Sequence, residues 1–87
     1  MEGHLQRIVG RNVRAIRLAR GYSQEAFAEV LGVHRTYLGT LERGQRNLSL
    51  QALERLAHTL GVDPLTLLSE GMEVSVTVRI NRADQAE

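Results

Sequence analysis

Apolar positions repeat with a helical period over most of this chain. Leu5, Ile8, Val9, Val13 and Ile16 recur three and four apart, arginines fill the other faces, and Gly21 stands where the run would stop. Residues 5–20 therefore read as a first helix. Ser23 is a good N-cap for a second, Glu25 suits its positive end, and Phe27, Ala28 and Leu31 form an inward stripe closed by Gly32. A third helix follows at once, from His34 to Arg43, with Leu38 and Leu41 inward and Gly44 just past its end. Beyond the polar loop Gly44-Gln45-Arg46-Asn47, a fourth helix runs from Ser49 to Leu60, burying Leu53, Leu56, Ala57 and Leu60 before Gly61. Pro64 belongs in the first turn of a short fifth helix over 64–69, with Leu65 and Leu68 inward.

Past Gly71 the period changes to two. Val74, Val76, Val78 and Ile80 alternate with Ser75, Thr77 and Arg79, which is a strand signal. A lone strand cannot satisfy its own backbone or cover its apolar face. Its natural partner is the same strand of a second copy, which makes these four residues the expected dimerisation element; the alternative is a loosely docked tail. The predicted fold is all-α: five helices over residues 1–71, then a C-terminal strand or tail over 72–87.

Composition narrows the class. The 87 residues suffice for one domain, 43% of them are hydrophobic, and a single proline argues for a folded helical chain. With no cysteine, disulfides, thiolate metal sites and cysteine nucleophiles are excluded together. No apolar run is long enough to span a membrane, and Arg7, Arg11 and Arg14 interrupt every candidate signal peptide, so the expected location is the cytoplasm. The net charge of +1 conceals an asymmetry. Residues 1–60 carry nine arginines against five glutamates, whereas residues 61–87 carry two arginines against five acids. The N-terminal two-thirds is thus the side expected to meet phosphate. All eleven basic residues are arginine, which suits bidentate recognition of phosphate and guanine but equally reflects a GC-rich coding bias.

The informative stretch is Gln24–Gly44, QEAFAEVLGVHRTYLGTLERG. Two helices joined by a tight turn cross steeply and impose requirements at fixed offsets. Ala28 is small where the helices cross, Gly32 tolerates positive φ in the turn, and Phe27, Leu31, Val33, Leu38 and Leu41 are apolar where the core requires it.

With its neighbours, SQEAFAEVLGVHRTYLGTLERGQRNLSLQALERLAHTLGV resembles the Xre/Cro/CI family of helix-turn-helix transcriptional regulators, which includes phage repressors and restriction-modification controller proteins. The resemblance covers about residues 5–69 and is most specific in SQE and LERGQRN. It implies a five-helix, lambda-repressor-like domain with the third helix in the major groove of double-stranded DNA. Recognition helices of this class bring their leading side chains to base edges, here His34, Arg35, Thr36, Gly39 and Thr40. Arg35 suits guanine O6 and N7, while Thr36 suits a thymine methyl or a base acceptor. Thr40 matches a base-contact position of the family. Gly39 departs from a good helix former, at a cost of about 1 kcal/mol relative to Ala.

The same resemblance gives Gln24 a phosphate contact and puts Ser23, Tyr37, Arg43, Arg46 and Asn47 near the DNA backbone. Tyr37 has packing against the second helix as its other reading. Glu42 would repel DNA if free; in the family this acid pairs with an arginine of the first helix, and Arg17 stands at the matching position. Arg7, Arg11 and Arg14 share a face that serves either flanking phosphates or solvent.

Other classes fit less well. His4, His34 and His58 lie on different elements without ligand spacing, and no phosphate loop exists, so neither enzyme, metal site nor cofactor is expected. Three aromatics are too few for RNA stacking surfaces. The expected partners are therefore a DNA operator and a second copy of the chain. The main rival is an antitoxin-type regulator that also holds a partner protein through residues 72–87.

Overall fold

The computed structural model describes residues 3–71; the expected strand, with Val74, Val76, Val78 and Ile80, lies outside the described residues. Five helices make up the described part: α1 (His4–Ala19), α2 (Gln24–Leu31), α3 (Arg35–Glu42), α4 (Leu50–Leu60) and α5 (Pro64–Leu67).

Local chemistry sets their ends. Ser23 Oγ accepts the Ala26 N–H at 3.1 Å, and Ser49 Oγ accepts the Ala52 N–H at 3.0 Å, so α2 and α4 each begin on a serine cap. Asp63 does the same for α5 through the Leu65 N–H at 2.8 Å, with Pro64 in the first turn. Gly32 closes α2 at φ 71°, letting the Val33 N–H reach back to Ala28 O at 3.0 Å.

The helices wrap one core. Val9, Val13 and Ile16 from α1 meet Phe27 and Ala28, Leu38 and Leu41, Leu53, Ala57 and Leu60, and Leu67. Phe27, Leu38, Leu67 and Val13 are the largest side chains fully withdrawn from water, each stabilising the fold by roughly 1.5–3 kcal/mol relative to exposure. Leu31, Val33 and Leu56 are half-buried against this cluster.

The fifth helix departs from the expected register. Leu65 is 72% exposed, Leu67 is buried in its place, and Leu68 is only half-buried. A single helical turn has no repeating apolar face to set its rotation. A polar anchor sets it instead: buried Asn12 donates from Nδ2 to the carbonyls of Leu67 and Ser69, both at 2.8 Å, and of Thr66 at 3.3 Å. The Thr66 carbonyl also accepts the Ser69 N–H at 3.1 Å, so Asn12 holds the turn in which α5 ends.

Candidate nucleic-acid interface

The crossing of α2 and α3 is built from the small buried Ala28, the left-handed Gly32 and the three-residue turn Gly32-Val33-His34. His34 lies just before α3 rather than within it. Its backbone is extended, and its ring Nδ1 accepts the Thr36 N–H at 3.1 Å, so His34 is the N-cap.

The two sides of α3 differ sharply. Leu38 and Leu41 are buried, whereas His34, Arg35 and Thr36 are all exposed, so the leading edge of the helix faces away from the molecule. Gly39 differs from these. It lies on the outward side but is buried, because the Arg43 side chain folds back over it. Thr40 is half-buried and engaged twice: its Oγ1 donates to Tyr37 O at 2.8 Å and accepts from Arg46 Nε at 2.9 Å. The Arg46 guanidinium carbon stands 4.4 Å above the Tyr37 ring centroid, so a cation–π contact joins the loop after α3 to its middle. Tyr37 also packs partly against the core.

Glu42 does not face outward. Arg17 grips it in a fork, Nε to Oε2 at 2.7 Å and Nη2 to Oε1 at 3.1 Å, and Gln24 Nε2 adds a third hydrogen bond to Oε1 at 3.0 Å. The Glu42 side chain is 3% exposed and that of Arg17 10%, so the negative charge is neutralised within the scaffold. Arg17 also donates from Nη1 to Tyr22 O at 3.0 Å, fixing the entry to α2. One buried group thereby ties α1, α2 and α3 together. Gln24 retains one further amide hydrogen beyond the one given to Glu42.

Exposed arginines surround this frame, joined at the cleft beside α1 by the exposed Glu70. Arg35, Arg43 and Arg46 are exposed, and Arg7, Arg11, Arg14 and Arg43 line a cleft of about 410 Å³ between α1 and the end of α3. Among the described residues the only ion pairs are Arg17–Glu42 and the 3.7 Å contact of His4 with Glu70, so these arginines have no carboxylate partner there. Asn47 accepts from Gln6 Nε2 at 2.6 Å, and Gln45 Oε1 accepts from Arg43 Nε at 3.3 Å. Neither Gln6 nor Gln45 carried any spacing signal, since each acts through a contact specific to the loop after α3. No group of His, Asp or Glu among the described residues could hold a metal ion, and no described helix is long and apolar enough to cross a membrane.

Known proteins resemble this chain in sequence and fold. The helix-turn-helix family model matches residues 13–67. Control protein C.BamHI of Bacillus amyloliquefaciens is 42% identical over 69 residues, covering 78% of this chain and 85% of the relative. The crystal structure of a hypothetical transcription factor from Neisseria, NHTF, superposes with a TM-score of 0.71 at 34% identity over 88% of both chains. The restriction-modification controller protein C.AhdI from Aeromonas hydrophila superposes with a TM-score of 0.61 at 41% identity, covering 74% of this chain and 96% of that one. With more than half its length matched by the family model and its exposed α3 built on the crossing that the family requires, the chain belongs to the helix-turn-helix family of DNA-binding regulators rather than to any class of enzyme.

Proposed function

We propose that this chain is a homodimeric, sequence-specific regulator of transcription that lays α3 in the major groove of a palindromic operator. The observation that carries the reading is the division of α3: Leu38 and Leu41 are buried while His34, Arg35 and Thr36 are exposed, with Glu42 withdrawn beside them. An exposed leading edge of this kind fits base edges, and an uncompensated carboxylate in its place would oppose them. Arg35 takes guanine O6 and N7, and Thr36 meets a thymine methyl or base acceptor. His34, whose Nδ1 is occupied by the cap, has its Nε2–H left for a base. Thr40, with Gly39 beneath the Arg43 side chain, completes the stripe that faces the groove.

The phosphate contacts surround it. Ser23 and Gln24 stand at the positive end of α2, which favours an anion. Tyr37, Arg46 and Asn47 meet the backbone beside the end of α3, and Arg43 lies on the same rim. Likeness to proteins named as transcription factors and restriction-modification controllers supports a regulatory role.

Reach supports a dimer. An eight-residue α3 spans only about 12 Å, too short to read more than a few base pairs. A second copy about 34 Å along the duplex supplies the other half-site. The alternation of Val74, Val76, Val78 and Ile80 supports self-pairing. So does an apolar groove of about 220 Å³ lined by Leu5, Leu48, Leu50 and Leu68, in which Leu50 is 78% exposed.

The test is Arg35→Ala. Binding to the preferred duplex is expected to weaken by about 1–3 kcal/mol, with preference relaxed at one base pair per half-site. An unchanged profile of base preference would remove α3 from the reading.

A further inference from the structure

Gly39 lacks the usual reasons for glycine. It has no positive φ, it lies in the middle of α3, and a β-carbon there would meet only Arg43 Nη1, at 3.4 Å. Alanine would be the better helix former by about 1 kcal/mol, but its methyl would sit against the Arg43 guanidinium. Neither backbone conformation nor core packing therefore explains the residue.

Its outward neighbours do. Thr36, Gly39 and Arg43 are three and four residues apart and share the stripe opposite Leu38 and Leu41. Side chains on a helix lean toward its N-terminus, so Arg43 covers the turn before its own Cα. The missing side chain at Gly39 lets the guanidinium lie back into the middle of the outward face. Gln45 then fixes its orientation by accepting from Nε. The two terminal nitrogens find no hydrogen-bond acceptor among the described residues, and a fork of this kind matches the two acceptors of a guanine edge. Gly39 lies four residues beyond Arg35, or about 6 Å along the axis, on the order of two base steps.

We propose that Arg43 is a specificity-determining residue: admitted by Gly39 and oriented by Gln45, its guanidinium reads a second guanine within the half-site that Arg35 begins. The inference rests on α3 occupying the major groove. It moves Arg43 from the phosphate contacts to the base contacts and makes Gly39 the residue that permits the reading.

The experiment measures binding of the full chain to its preferred duplex and to every single-base-pair variant of that duplex. Arg43→Ala and Arg43→Lys are expected to flatten the profile at one base pair per half-site, distinct from the one lost in Arg35→Ala, with about 5- to 150-fold weaker binding to the preferred site. Gly39→Leu, which puts a side chain where the guanidinium lies while keeping Arg43, is expected to lose the same preference without lowering the melting temperature. A uniform loss on all duplexes for Arg43→Ala, with the salt dependence reduced by about one unit of slope, would show a phosphate contact and overturn the inference while leaving the regulator reading intact. A wild-type profile flat at every position would overturn both.

Discussion

The α-carbon of Gly10, inside α1, faces the carbonyl oxygen of Glu42 so closely that a β-carbon there would lie 2.7 Å from it. The carbonyl oxygen of Leu41 would lie closer still, and both obstacles are backbone. This glycine lets α1 touch the end of α3 without a side chain between them. Gly10→Ala is therefore expected to destabilise the protein by roughly 1–3 kcal/mol despite alanine's higher helix propensity. Urea denaturation checks this, and a variant as stable as wild type would show that the contact is not tight.

The same junction holds the Arg17–Glu42 pair. Removing one partner leaves a charge in a site with little access to water, at a cost of about 3–5 kcal/mol. Glu42→Ala is expected to lower the melting temperature by at least about 10 °C. A shift of only a degree or two would mean that the pair contributes no more than a surface ion pair.

Asn12 anchors α5 from the far end of the sequence. Asn12→Ala removes the donor to three carbonyls, with an expected loss of about 1–3 kcal/mol. Hydrogen exchange is expected to rise first in residues 64–69. Protection that falls evenly over the molecule would contradict a local anchoring role.

Arg46 lies at the surface, stacked on Tyr37 and bonded to Thr40. Arg46→Ala is expected to change stability by less than about 1 kcal/mol while weakening DNA binding on all sequences alike and reducing the salt slope by about one. Titrations at several salt concentrations separate these effects, and a sequence-selective loss would reassign the residue to base reading.

Much of the scaffold was legible because its determinants are local. Ser23 and Ser49 cap helices within three residues, Gly32 closes α2 where the apolar stripe ends, and Leu38 and Leu41 fall inward at the expected spacing. What escaped depends on distant or covering contacts. Asn12 finds its acceptors 54 to 57 residues later, so nothing near it in sequence marks it as an anchor. Leu65 and Leu67 exchanged places because a one-turn helix offers no period to read. Gly39 followed the outward stripe correctly, but the spacing of residues could not show that Arg43 would fold over it. His34 is a cap rather than a helical residue for a similar reason: its ring reaches the Thr36 N–H only through a rotamer that the pattern does not encode.

The central claim is that the exposed edge of α3 reads DNA sequence as one half of a symmetric pair. Selection of binding sites by the purified full chain from random duplex DNA tests it most directly. The account predicts enrichment of a palindromic or near-palindromic site with half-sites about one helical turn apart, containing guanines whose preference is lost in Arg35→Ala. Binding that enriches no sequence, or a site preference that Arg35→Ala leaves intact, would contradict it.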